Sequence, residues 1–474
     1  MSEPDDPQIS FFRRHRFTIV ASSLALVLLL LTGGSAYAGF VAGVAKYEAS
    51  AVPIPVEPEE EPARVVPTVL PAASPLRTCR ISSIAVDPRL SALTGEAVNT
   101  ATGEVLFSRD ADDAVHAGSV MGALTATAAI GQLGADHQLS TQVLDSKTKG
   151  TIVLVGGGDA TLSRLPAGQT SVYAGAPTLA DLAAKTLAAY TQAHPNTPIT
   201  HVVLDATYWD KADRWNTTWS RDLQTGGFVS EVTSLQVDGD REDPTAQISP
   251  RSTDPIGRAG SEFVAALGLD PDEVSVQEGT AENGAPVLAE VKSAPISTLV
   301  QQMLLANDAT LAEMLARVVA VESNFSGSAA SLQQAIPDAL EAQGFAPRGT
   351  TIRDGSGLSR DDAVSTHFVT TVMSRIATDP TLAPIMAALP VAGQSGSFAD
   401  RFTGDNAGAA GKVAGVSGAL PDSRSIAGVM TAIDGTTISF SFVASRANIG
   451  DDAQEALDAL VTGVHNCGNN LSNN

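Results

Sequence analysis

Ser119-Val120-Met121-Gly122 stands at the head of an apolar, alanine-rich stretch that reads as a helix beginning at Ser119. A serine hydroxyl there could act as a nucleophile, but only if a neighbouring base takes its proton. Three residues further along a helix is where such a base reaches the hydroxyl, and that place holds Gly122. Ser119 is therefore either a nucleophile position without its base or a helix-capping serine with no chemical role.

Other reactive constellations are weaker. The chain has seven histidines and two cysteines, with no HExxH, no paired cysteines and no close His/Asp cluster, so neither a metal nor an organic cofactor is expected. Gly156-Gly157-Gly158-Asp159 follows a strand-like run but lacks the spacing or the lysine of a phosphate loop. Tyr208, Trp209, Trp215 and Trp219 cluster either as a carbohydrate or peptide surface or as local core packing.

The elements that must position these residues are legible in outline. Ala101 to Phe107 reads as a turn entering a strand, and Ser119 to Ile130 as a helix buried on most sides. Thr151 to Val155 and His201 to Leu204 read as strands, Leu179 to Ala189 as a helix, and Pro271 to Val291 as a small β unit. From Pro295 the apolar positions Leu299, Met303, Leu304, Leu311, Met314 and Leu315 predict helix, with a second helix near Leu332 to Glu341. Two glycine- and serine-rich loops follow, Asp354 to Arg360 and Gly393 to Phe398. Ser425 to Met430 and Thr437 to Ala444, split by Asp434-Gly435, predict a hairpin, and Ala453 to Leu460 a closing helix.

Arg13, Arg14, His15 and Arg16 precede an uncharged stretch from Phe17 to Ala45, long enough to cross a bilayer, and Ser35-Ala36-Tyr37-Ala38 offers small residues for cleavage. The division is a cytoplasmic basic segment 1–17, an anchor or signal sequence 18–45 and a Pro/Glu-rich linker 46–76. The basic flank sends the rest outward, as a single-pass membrane protein or, after cleavage, a secreted one. Formal net charge is −23, from 29 basic and 52 acidic residues, which argues against nucleic acid or anionic lipid as the main partner. Outside the membrane, Cys79 and Cys467 read as one disulfide joining the two ends of the exported part; two separate buried thiols are the other reading.

Several segments together resemble the penicillin-binding D-alanyl-D-alanine carboxypeptidases of the S13 serine peptidase type, in their membrane-anchored actinobacterial form. They are Gly156 to Asp159, Ser293-Ala294-Pro295, Leu311 to Arg317, Asp354 to Arg360, Leu389 to Gly393 and Ala427-Gly428, and their order and spacing carry the resemblance. It implies an α/β fold, a serine β-lactamase/penicillin-binding transpeptidase-like domain with inserted β-rich domains. On this reading residues 77–145 and 293–467 are the two parts of the peptidase-like domain, 146–292 the inserted domains and 468–474 a tail. The implied partners are peptidoglycan stem peptides or cell-wall synthesis proteins.

The family's three signatures are Ser-x-x-Lys, Ser-x-Asn and Lys-Thr-Gly, and each departs from pattern here. Ser119 keeps the nucleophile position while Gly122 replaces the base. Asn307-Asp308-Ala309 replaces the relay serine and the substrate-orienting amide. Val416-Ser417-Gly418 replaces the cation with Val416, keeps a hydroxyl at Ser417 and keeps the glycine at Gly418. Lys412 and Lys292 are the nearest candidates for a replacement base. Asp308 and Glu313 are expected to hold the helix and its contacts, and Arg360 to pair with a carboxylate. The resemblance names a carboxypeptidase, whereas the residues point to a binding or scaffolding pseudoenzyme.

Overall fold

The computed structural model describes residues 76–116 and 118–473, so the expected segments 1–17 and 18–45, and the expected linker 46–76 except Leu76, lie outside the described residues. Among the described residues no helix is long and apolar enough to cross a membrane.

Along the chain come β1 (Ala92–Asn99), β2 (Val105–Arg109), the short β3 (Ala114–Val115), β4 (Ser140–Asp145), β5 (Thr151–Gly156) and β6 (His201–Asp205). They are followed by β7 (Ser275–Glu278), β8 (Val287–Lys292), the short β9 (Val364–Ser365), β10 (Val413–Ala419), β11 (Ser423–Thr431) and β12 (Thr437–Ser445). The longer helices are α1 (Met121–Leu133), α2 (Leu179–Ala193), α3 (Pro255–Ala266) and α4 (Ile296–Ala306). After them come α5 (Ala309–Glu322), α6 (Ala329–Glu341), α7 (Thr366–Thr378) and α8 (Asp452–Cys467).

The first sheet has the order β10-β11-β12-β1-β2 and is antiparallel throughout, which sets early strands beside late ones. Its strands alternate between two cores. Ile426, Met430, Ile438, Phe440 and Phe442 meet Leu457, Leu460 and Val464 of α8, whereas Ala427, Val429 and Val443 meet the cluster built on α1, α5, α6 and α7. Side chains two apart share a face, so this hairpin has core on both sides. The disulfide Cys79–Cys467 ties the start of the described chain to the end of α8, with Cα atoms 5.4 Å apart.

The second sheet has the order β7-β6-β5-β4-β8. Its strands β5, β6 and β7 run parallel, and β4 is antiparallel to both β5 and β8. Parallel neighbours need crossovers, and α2 and α3 supply them while packing their apolar faces on the sheet. β4 starts at Ser140 and so precedes residue 146 while belonging to this sheet.

Two sequence expectations need correction. Ser119 lies in a single 3-10 turn, Gly118–Val120, and the α-helix begins only at Met121. The apolar run from Leu299 to Leu315 is not one helix, because Asn307 adopts a left-handed conformation (φ 53°) that ends α4, and Asp308 caps α5. Asparagine tolerates that conformation better than most side chains. The aromatic cluster is largely core packing: Trp209 and Trp219 are buried, and the Trp219 indole N–H donates to Asp354 Oδ2 at 2.7 Å.

Candidate active site

The turn that carries Ser119 is held from two sides. Gly118 has φ 58°, and a Cβ on it would come within 3.2 Å of Leu420 and 3.3 Å of the Gly418 Cα. Gly357, at φ 79°, lies against the Gly118 carbonyl so closely that a Cβ would be 1.9 Å from it. The positive φ favours glycine at both positions, and at Gly357 the close approach of the Gly118 backbone excludes any side chain. Below the turn α1 is buried from Met121 to Ile130, and the Thr125 hydroxyl donates to the Gly355 carbonyl at 2.6 Å. Met121, Leu124 and Ile130 each contribute about 1.5–3 kcal/mol by burial, which fixes the helix beneath the serine.

Ser119 then meets the other segments that the sequence singled out. One narrow cleft is lined by Ser119, Gly122, Asn307, Asp308, Ala309, Val416 and Ser417, with Ser356, Ser397 and the apolar Met303, Leu304 and Ala312. Gly418 stands just behind, against Gly118. The cleft's free volume is about 10 Å³, although some 310 Å³ of empty space lies between its walls when the mouth is counted.

Its chemistry is sparse. Among the described residues the Ser119 hydroxyl makes no hydrogen bond and no lysine or arginine lines the cleft. Lys412 is exposed ahead of β10 and Lys292 is exposed at the end of β8, and neither reaches the lining. A Cβ built on Gly122 would touch only Leu304 Cδ2 at 3.8 Å, an ordinary contact, so packing does not demand the glycine.

Asp308 is the acid on the lining, and its oxygens are occupied from behind. Arg241 donates to its Oδ2 at 2.8 Å, the Tyr173 hydroxyl donates to the same oxygen at 2.9 Å, and Leu311 N–H donates to its Oδ1 at 3.0 Å. Burial alone would raise its pKa, but the Arg241 and Arg251 guanidiniums and these hydrogen bonds hold it below the ordinary carboxylate value. The expectation that Asp308 and Glu313 are structural agrees with their contacts. Glu313 takes Arg317 Nε at 3.0 Å and Gly355 N–H at 2.6 Å, and burial, with Asp354 nearby, pushes it up to about 7. Arg360 differs from expectation: it is exposed and makes no ion pair among the described residues. Its loop is held instead by Asp354, whose carboxylate accepts from the N–H groups of Ser356, Gly357 and Ser359.

β10 is an edge of its sheet, and its backbone faces the cleft. Gly415 N–H donates outward to the Pro390 carbonyl, and Ala392 N–H to the Val413 carbonyl, both at 2.9 Å. Outward groups recur at every second residue of an antiparallel strand. Ser417 and Ala419 therefore present N–H and C=O groups outward, and among the described residues no backbone group meets them. Sequence reasoning did not place Ser356 and Ser397 at the site. Their glycine- and serine-rich loops were the available signal, but such loops mark turns far more often than clefts.

The sequence pattern of the D-Ala-D-Ala carboxypeptidase 3 (S13) family matches residues 78–247 and 230–464. Carboxypeptidase DacB of Mycolicibacterium smegmatis is 32% identical over 467 residues, 96% of this chain and 98% of that protein. A carboxypeptidase of Mycobacterium tuberculosis is 33% identical over 432 residues, covering 87% of this chain and 89% of its own length. In fold, the chain is similar to penicillin-binding protein 4 of Haemophilus influenzae, with a TM-score of 0.67 at 19% identity, over 81% of this chain and 99% of that one.

Proposed function

The chain belongs to the D-Ala-D-Ala carboxypeptidase 3 (S13) family of peptidoglycan metabolism, and within it we propose a pseudoenzyme, catalytically impaired or inactive, that binds wall peptides or scaffolds wall-synthesis proteins. One observation carries this reading: among the described residues the cleft lining holds no lysine or histidine to take the Ser119 proton, and its carboxylate, Asp308, is held below the ordinary carboxylate value and is a weak base. Asn307 is an amide and no base. Ser356, Ser397 and Ser417 are alcohols no more basic than Ser119 itself. Asp308 is ionised, but Arg241, Tyr173 and Leu311 N–H occupy its oxygens. Losing general-base help costs about 10²–10⁴ in rate. The absence of a relay hydroxyl at Asn307 and of a cation at Val416 adds to that. What survives is suited to holding a ligand: among the described residues no backbone group meets the outward N–H and C=O groups of Ser417 and Ala419, and such an edge can add an extended peptide as a further strand.

The N-terminal segment 18–45, as an anchor or a cleaved signal, would place this cleft on the wall side of the membrane, with the linker as spacer. A second reading is an active serine D-alanyl-D-alanine carboxypeptidase or endopeptidase using Ser119 with a non-standard base. It is favoured by the names of the two relatives, which match this chain over most of their length.

Fluorescent penicillin separates the two. The purified full-length protein is expected to show no label that depends on Ser119, while still binding muropeptides. Covalent label that disappears in Ser119→Ala would establish the active reading. Gly122→Lys alone is expected to restore little labelling, whereas combining it with Asn307→Ser, Ala309→Asn and Val416→Lys should restore far more.

A further inference from the structure

Resting on the binding reading above, we infer that the cleft takes an uncharged stretch of extended peptide, internal or amide-capped, and discriminates against a free terminal carboxylate. The lining supplies the reason. Its hydroxyls, its one amide side chain and the β10 edge are neutral hydrogen-bonding partners, and among the described residues Asp308 is its charged group. A carboxylate entering this cleft would leave water without meeting a cation, and would do so beside an ionised acid. Stripping a charge of water without pairing it is strongly unfavourable, and Asp308, already paired with Arg241, offers an entering carboxylate no partner.

The guanidiniums behind Asp308 do not rescue such a ligand. Arg241 is 1% exposed and is engaged by Asp308, Tyr173 and the Asp238 carbonyl. Arg251 is 7% exposed and donates to the Gly239 and Gly227 carbonyls. Neither lines the cleft. The Val416 side chain, 4% exposed, closes the wall with an apolar surface.

Shape agrees with charge. Free volume of about 10 Å³ leaves no room for a bulky side chain at the bottom, so a ligand lies along the mouth as backbone with small side chains. The outward N–H and C=O groups of Ser417 and Ala419 suit a short added strand, since Pro390 and Ala392 already occupy the edge at Gly415 and Val413.

The test compares two probes on the full-length protein: a tripeptide ending in D-alanyl-D-alanine as the free acid, and the same peptide as its C-terminal carboxamide. Titration calorimetry is expected to give at least threefold tighter binding of the carboxamide. Val416→Lys should reverse the order, with a swing of at least tenfold. Ala309→Lys adds a cation at a half-exposed place on the opposite wall and should shift the preference the same way, should the first variant not fold. Equal or tighter binding of the free acid by the unaltered protein overturns the inference while leaving the binding reading intact. Failure of both peptides to bind at millimolar concentration overturns both.

Discussion

The turn from Asn307 to Ala309 has two sides that contrast sharply. Its front faces the cleft with an exposed amide and an alanine methyl, opposite a serine whose hydroxyl has no hydrogen-bond partner among the described residues. Its back, at Asp308, is joined to Arg241 and Tyr173, and one helical turn further on Glu313 and Arg317 form another buried ion pair that reaches the Asp354 loop. Ionisable side chains are thus dense behind the cleft and thin within it. The asymmetry has a physical origin. A group lining an open cleft loses only chemistry when replaced, because water takes over its solvation. Removing one member of a buried pair leaves the other charged and unsolvated, which costs about 3–5 kcal/mol.

The largest effect expected from this contrast is at the back. Arg241→Met should destabilise the protein by about 3–5 kcal/mol in denaturant unfolding, because Asp308 is left charged and buried. If the loss were no greater than for a surface substitution, the buried layer would not be holding the turn.

A smaller effect comes from Glu313. Its pKa is pushed up to about 7 from 4.5 in the folded protein, so between those values the folded state holds more protons than the unfolded one. Stability from this group is full below the unfolded value and is lost as pH rises through about 7, with a slope of about 1.4 kcal/mol per unit where it titrates. Glu313→Gln should flatten that part of the pH dependence of melting. An unchanged profile would assign the slope to other groups, Asp362 first, since burial and Asp354 also raise it.

The smallest effect belongs to the front. Ser119→Ala should change stability by no more than about 0.5 kcal/mol, as for a side chain away from any buried network. A loss of 2 kcal/mol or more would mean that the serine is part of the fold's support, and the contrast would fail at its central residue.

How much of this was legible in the chain varies by element. The hairpin of β11 and β12 was plain, because Ile426, Phe440 and Phe442 recur at strand spacing around Asp434-Gly435. Burial of α1 was plain too, because a helix so uniformly small and apolar has no wet face. The break at Asn307 was hidden, since Leu304 and Leu311 keep helical spacing across it while the backbone reverses handedness. The 3-10 turn at Ser119 was hidden for a different reason: it depends on Gly357 pressing on Gly118 from 239 positions away, along with the β10 wall. The parallel pairing of β5, β6 and β7 was likewise invisible, because hydrogen-bond partners distant along the chain leave no local pattern.

From the amino-acid order alone it follows that no base stands three places after Ser119, that Asn307 has no hydroxyl and Ala309 no amide side chain, and that Val416 carries no charge. Side-chain chemistry is a property of each residue and needs no fold to be read. That these positions share one cleft, that Ser356 and Ser397 join them, that Lys412 and Lys292 stay outside it, and that the Asp308 carboxylate is occupied by Arg241 were decided by the tertiary structure. Those are relations between distant segments, and only the packing of α1, α5 and β10 around shared cores brings such segments within reach of one another.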